Sequence, residues 1–188
     1  MTFDPYHKWL GIHLGATDRR TRILELLRPE GSASMIATIS TLLDSDADSA
    51  WRLVKKLSTF RHVARGILSF PPCGEEPEEW FEGQTLQSRL WFFHVLPAWR
   101  HELRVLAVDD NGREIRTAEG GGLVKKWDHT IHLEPVSSSR CQYMDILEIG
   151  GFLAPGVWLF AQAFFRYRHM RLRRLVRRMA RNTTVTPR

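Results

Sequence analysis

Residues 123–135 read LVKKWDHTIHLEP, and a two-residue period runs through them. On a strand Trp127, His129, Ile131 and Leu133 share one face, while Lys126, Asp128, Thr130 and His132 take the other. Similar alternation, with β-branched and aromatic enrichment, marks SMIATISTLL (34–43), ILSF (67–70), QTLQSRLWFFHV (84–95), WRHELRVLAVD (99–109), REIRTAE (113–119) and RCQYMDILEI (140–149). The later strands are joined by DDNG (109–112), EGGG (119–122) and VSSS (136–139), all turn-forming sequences. Consecutive strands with links this short predict an antiparallel meander. VLPAW (95–99) reads as a further turn, between His94 and His101.

Two segments carry a helical period instead. After Asp44, Ser45 and Asp46, which can cap a helix, Ala47, Ala50, Trp51, Val54 and Leu57 recur at helical spacing, and STFRHVARG (58–66) predicts a second short helix. Near the other end, residues 156–181 predict one long helix on which Phe160, Phe164, Leu172, Leu175 and Met179 form a stripe. The sequence therefore divides into an N-terminal extension at 1–32, one α+β domain at 33–181, and an expected flexible tail at 182–188.

Composition adds three constraints. With 43% apolar residues and seven tryptophans among 188 residues, the chain can bury a large core or line a cavity. The net charge of +6 is unevenly placed: residues 151–188 hold nine arginines and no acid, which leaves −3 for residues 1–150. An electrostatic partner should meet the C-terminal end. Cys73 and Cys141 lie far apart without a CxxC pair, so neither a zinc site nor a disulfide framework is expected, and reduced thiols in a cytoplasm fit best. Asp4, His7, Lys8 and His13 interrupt residues 1–15, so no secretory signal is expected there.

The chemistry-bearing candidates are few. His129 sits in the middle of an apolar strand face, where an imidazole serves as a hydrogen-bonded core residue, a ligand contact or a general base, in that order of preference. His129 and His132 fall on opposite faces, and His94 and His101 flank VLPAW with no Cys or carboxylate at ligand spacing, so no metal site is expected. No serine lies in a nucleophile elbow, and Cys73 has no local base. Alternation places Trp99, His101, Leu103, Val105 and Ala107 on one face, and Glu119 on a face with Thr117 and Ile115. Several ionisable groups aimed into one apolar space favour a pocket over plain core. The RYRHMRLRRLVRRMAR run reads first as a solvated helix face and second as a phosphate- or headgroup-binding surface. FLAPGVWLFAQAFF is 14 residues long and contains Pro155, which is too short to span a bilayer.

The order of elements, together with EGGGLVKKWDH, Tyr143 and Asp145 in a Y-x-D strand, AWRLVKKLSTF and WLFAQAFFRYRHMRLRRL, resembles the SRPBCC superfamily, also called START-like or helix-grip. The local pattern is most similar to a bacterial branch related to polyketide cyclase/dehydrase-like proteins, and the likeness spans roughly residues 34–176. The resemblance implies a helix-grip fold, with a curved antiparallel sheet of about seven strands wrapped around the long C-terminal helix, and a cavity between them. It also implies that the Y-x-D strand neighbours His129, so that Asp145 or Tyr143 would be its partner. It supplies no reaction.

The expected function is binding of a hydrophobic or amphipathic small molecule, lipid- or polyketide-like, with no cofactor. Trp91, Trp99, His101 and Glu119 are expected to line the site. Trp127, His129, Asp145 and Phe164 complete it. A cyclase or dehydratase that uses His129 as base is the alternative. A weak contact with anionic membrane through Arg173, Arg174, Arg177 and Arg178 is a further expectation, and specific nucleic-acid binding is not expected.

Overall fold

Alternation predicts faces, and the computed structural model, which describes residues 34–71, 77–93, 95–121 and 124–184, puts those faces on one curved sheet. The expectations for residues 1–32, Cys73 and His94 fall outside the described residues, as does the side chain of Trp99. The elements are β1 (Ser34–Leu43), α1 (Ala47–Val54), α2 (Leu57–Ala64), β2 (Leu68–Ser69), β3 (Thr85–Phe92), β4 (Leu96–Asp109), β5 (Glu114–Gly121), β6 (Val124–Ser137), β7 (Arg140–Gly150) and α3 (Ala154–Thr184). The seven strands form one antiparallel sheet in the order β1-β7-β6-β5-β4-β3-β2. The meander β3 to β7 runs across the sheet in sequence order, and β1 returns to pair with β7. This is the expected α+β helix-grip architecture.

Local chemistry fixes the ends of these elements. The Asp46 carboxylate accepts the Ser49 N–H at 2.8 Å and caps α1. At the β4–β5 turn the Asp109 carboxylate accepts the N–H groups of Asn111 and Gly112 at 2.9 and 3.0 Å. Gly121 closes β5 at φ +141, where a Cβ would collide with the Arg100 carbonyl. Among the described residues no helix is long and apolar enough to cross a membrane.

Bulges bend the sheet and correct the sequence reading in two places. A register shift between Val105 and Ala107 leaves Val108, not Ala107, opposite Ile115 and against the core. VLPAW is not a turn: β4 begins at Leu96, and Pro97 pairs with Trp91 beside a second shift between Arg89 and Trp91. A proline is tolerated there, near the start of the strand and next to a bulge.

The interior has two apolar clusters. One lies beneath α1, where Ala47, Ala50, Trp51 and Val54 pack against Leu133, Cys141 and Tyr143. The other lies beneath the first half of α3, around Leu147, Ile149, Ala161, Phe164 and Phe165. The buried stripe of α3 differs from the expected one. It runs through Ala161, Phe164, Phe165, Arg168, His169, Leu172 and Val176, whereas Met179 is 49% exposed.

Candidate functional site

Four strands and α3 converge on a buried polar cluster between these two apolar regions. Register places His129 on β6 opposite Thr117 of β5 and Leu147 of β7, which brings Asp145 within reach on the diagonal. His129 Nε2–H donates to Asp145 Oδ1 at 2.7 Å. Asp145 is 0% exposed and also accepts from the Tyr143 hydroxyl at 3.0 Å and from His169 Nε2–H of α3 at 2.7 Å. The Y-x-D strand thus neighbours His129 as the resemblance implied, and helix α3 adds a donor that the strand pattern did not contain.

On the other side of His129, its Nδ1 lies 3.5 Å from Glu119 Oε1. Glu119 accepts from Thr117 Oγ1 at 3.0 Å and from His101 Nε2–H at 2.9 Å. A continuous chain of groups therefore links His101, Glu119, His129, Asp145 and His169. Burial disfavours the Glu119 charge, but hydrogen bonds from His101 and His129 outweigh it and hold the carboxyl at about 2, below its ordinary 4.5. Burial likewise opposes an imidazolium at His129, yet the flanking Asp145 and Glu119 carboxylates raise its pKa above the ordinary 6.5. Asp145 is held well below the usual carboxylate range: the Arg168 guanidinium and the donors from His129 and His169 overcome its complete burial. Burial, then the adjacent Asp145 charge, pushes the Tyr143 phenol well above 10.0.

A cavity of about 200 Å³ opens beside this cluster, between the sheet and α3. Phe60, Phe70, Phe92, Trp127, Phe160, Phe164 and Phe165 supply its rings, and His101, Glu119 and Arg168 supply its polar wall. The rings touch one another: Phe160 stacks on Phe164 with centroids 5.5 Å apart, and Phe92 meets Phe160 edge-on at 5.9 Å. Arg168 is 5% exposed, and its guanidinium lies 4.6 Å from the Phe165 ring centroid, with Phe60 and Phe164 also within 6 Å.

Of the residues expected at the site, the structure places His101, Glu119, Trp127 and Phe164 on the cavity wall. His129 and Asp145 lie in the hydrogen-bonded cluster and are not among the cavity-lining residues. Trp91 is not brought to the cavity. It lines a separate cleft with Arg61, Arg65, Ser69, Phe70 and Pro71, because Leu90 and Phe92 take the inward positions of β3. Sequence reasoning missed Arg168, His169 and Phe165. The signal was present in the spacing: positions 161, 164, 165, 168, 169 and 172 continue one helical stripe. In the sequence, however, Arg168 and His169 fall within the basic run, whose charge points to solvent. Among the described residues no group of three or more His, Cys, Asp and Glu could hold a metal ion.

The family model described as "Domain of unknown function (DUF8410)" matches residues 71–176. No curated protein matches the sequence. Solved structures do resemble the fold. A norcoclaurine synthase point mutant from Thalictrum flavum, in complex with a transition-state analogue, aligns at a TM-score of 0.60 with 15% identity, covering 80% of this chain and 98% of that one. A START superfamily protein from Mycobacterium smegmatis aligns at 0.57 with 12% identity over 79% and 99%. The Zhui aromatase/cyclase from Streptomyces sp. R1128 aligns at 0.53 with 10% identity over 77% and 92%. The START-like, SRPBCC-type fold expected from the sequence is therefore the fold of this chain.

Proposed function

This chain belongs to the DUF8410 family, and we propose that it binds a compact apolar or amphipathic small molecule in the cavity between its sheet and α3. The observation that carries this reading is the cavity itself, walled by aromatic rings, with His101 and Glu119 from the sheet and Arg168 from α3 as its polar groups. Mostly apolar walls with a few convergent polar groups are the usual make-up of a small-molecule site. The volume narrows the ligand. About 200 Å³ is below the ~300–1,000 Å³ typical of drug-sized ligands and close to the ~150 Å³ that accommodates benzene. A single ring or a short acyl chain fits better than a full-length lipid or a multi-ring polyketide.

Catalysis through His129 has less support. A general base needs a populated neutral form and access to a substrate proton. Both ring nitrogens of His129 face carboxylates, its pKa is raised, and it stands behind the cavity wall. The synthase and aromatase/cyclase among the structural relatives share the fold at 10–15% identity, which carries no reaction across. The exposed Arg173, Arg174, Arg177 and Arg178 support only a weak anionic-membrane contact as a secondary role.

Toluene titrated into the full chain and followed by NMR should perturb the resonances of the cavity walls. It should perturb nothing in Val157→Phe, whose added ring fills the space. Equal perturbation of both proteins, or of neither, removes this reading. Native mass spectrometry of the purified chain should in addition reveal a small copurified mass.

A further inference from the structure

Two side chains on the cavity wall carry donors that have no acceptor among the described residues. Asp145 already accepts from His129, His169 and Tyr143. Glu119 already accepts from His101 and Thr117 and faces His129. Two cavity-lining side chains each carry a buried donor with no hydrogen-bond partner among the described residues: Nε of Arg168 and the indole Nε1 of Trp127. Both side chains flank one ring, with Arg168 4.6 Å and Trp127 6.2 Å from the centroid of Phe165. A buried N–H without an acceptor is costly, and buried polar groups in folded proteins are almost always paired. Arg168 is an especially strong case. It is nine-tenths buried, permanently charged, and its guanidinium is faced by the rings of Phe60, Phe164 and Phe165.

We propose that the ligand of this cavity is a ring- or short-chain molecule ending in a carbonyl-type oxygen, either a carboxylate or a neutral ketone or ester, which accepts hydrogen bonds from Arg168 and from the Trp127 indole. This rests on the cavity being the binding site. The surrounding chemistry disfavours the opposite polarity: an ammonium end would meet the Arg168 charge, and Glu119, the carboxylate on the wall, already accepts from His101 and Thr117. Aromatic walls take the apolar body, and the donor pair fixes its orientation. Arg168 and Trp127 are thus specificity-determining, since a site built around unpaired donors rejects ligands lacking the acceptor.

Three probes of similar size, toluene, acetophenone and benzoate, titrated into the full chain by NMR test this. Arg168→Met keeps the apolar stem and removes the donors, and Trp127→Phe assigns the Trp127 indole resonance. Acetophenone or benzoate is expected to bind at least about tenfold more tightly than toluene, because a hydrogen bond to a charged group is commonly worth that factor. The Trp127 indole N–H resonance should move further downfield with the oxygen-bearing probes than with toluene, as a newly made hydrogen bond requires. In Arg168→Met their advantage should disappear while toluene affinity stays. A preference for benzoate identifies an acid and a preference for acetophenone a neutral carbonyl, and either supports the proposal. Equal affinity for all three probes in the native protein overturns it, with water then satisfying the donors, yet leaves the cavity as a binding site. Failure of all three probes, toluene included, removes the cavity reading and this inference with it. Should Arg168→Met not fold, the ranking of probes and the indole resonance in the native chain decide the matter.

Discussion

Trp51 and Trp127 are both inward-facing indoles of one domain, and they lie in different kinds of interior. Trp51 packs in the cluster beneath α1, and its Nε1–H donates to Asp110 at 2.7 Å. The void beside its neighbour Val54 is about 20 Å³, room for one water. Trp127 borders a cavity of about 200 Å³, and its Nε1–H has no hydrogen-bond partner among the described residues. Side chains around a void lose the dispersion contacts that a filled core supplies. One end of the molecule is finished by its own chain, and the other is left to be finished by something else. The Asp145 cluster lies between them.

The strongest way to break this contrast is to remove the group both ends lean on. Asp145→Asn keeps the volume but removes the charge that faces Arg168 and leaves His129 with Glu119 alone. Breaking a buried ionic partnership costs about 3–5 kcal/mol, enough to consume a large part of a typical ~5–15 kcal/mol stability. Urea denaturation should reveal a loss of that size, and a change below about 1 kcal/mol would mean that the cluster contributes little net stability.

The same substitution placed at each end sharpens the comparison. Val54→Phe forces a ring into a space that holds one water and should cost about 1–3 kcal/mol by overpacking. Val157→Phe adds the same ring beside the cavity and should be neutral or gain about 0.5–2 kcal/mol, as cavity filling does. Equal losses in thermal denaturation at both positions would mean that the two interiors do not differ.

Protonation probes the cluster without changing its volume. Glu119 is lowered from 4.5 to about 2, so its contribution is complete above 4.5 and drains away as the pH falls toward 2. His129 is raised above 6.5, so its contribution is complete below 6.5 and is lost as the pH climbs through its folded value. The melting temperature should be highest between about 4.5 and 6.5 and fall on both sides. Glu119→Gln should weaken the acid limb, and His129→Gln should flatten the alkaline one. A profile for His129→Gln that still falls above 6.5 would assign that limb to other groups.

The smallest effect is expected at the far end of α3. Arg173, Arg174, Arg177 and Arg178 are exposed, and Arg177 meets the exposed Asp44 at 3.1 Å. Changing all four to Gln should alter stability by no more than about 1 kcal/mol, since exposed ion pairs contribute little. Retention on anionic liposomes, if the native chain has any, should fall. An unfolded variant would make these arginines structural and remove the basis for a membrane contact.

Alternation made the sheet legible because each strand has one wet and one dry face. The inward row of β6, from Trp127 to Leu133, and that of β7, from Tyr143 to Ile149, follow the two-residue period without interruption. β4 was harder to read, because its bulge beside Val105 shifts the register against β5 and no local residue announces it. The polar wall was half legible. His101 and Glu119 could be placed by alternation, but Arg168 and His169 sit in a run of arginines whose charge argues for solvent. Only tertiary burial separates Arg168 from Arg166 and Arg173. The cavity volume was not legible at all. It depends on how far the rings of Phe160 and Phe164 hold α3 from the sheet, which is a property of packing and not of any one residue.

The return of β1 to β7 carries a kinetic consequence. Leu43 is hydrogen-bonded territory only once Cys141 is beside it, and Ser34 only once Gly150 is. The ribosome delivers β1 first and its partner last, with five other strands made in between. Closing a loop of that length loses chain entropy before any pairing compensates it, so the meander β3 to β7 should assemble early and β1 should dock late. Until then the unpaired edge of β1 and its apolar positions Ala37, Ile39 and Leu43 are open to other chains. The slow step of folding, and the point of greatest exposure to aggregation, is therefore expected at the opposite edge of the sheet from β2 and β3.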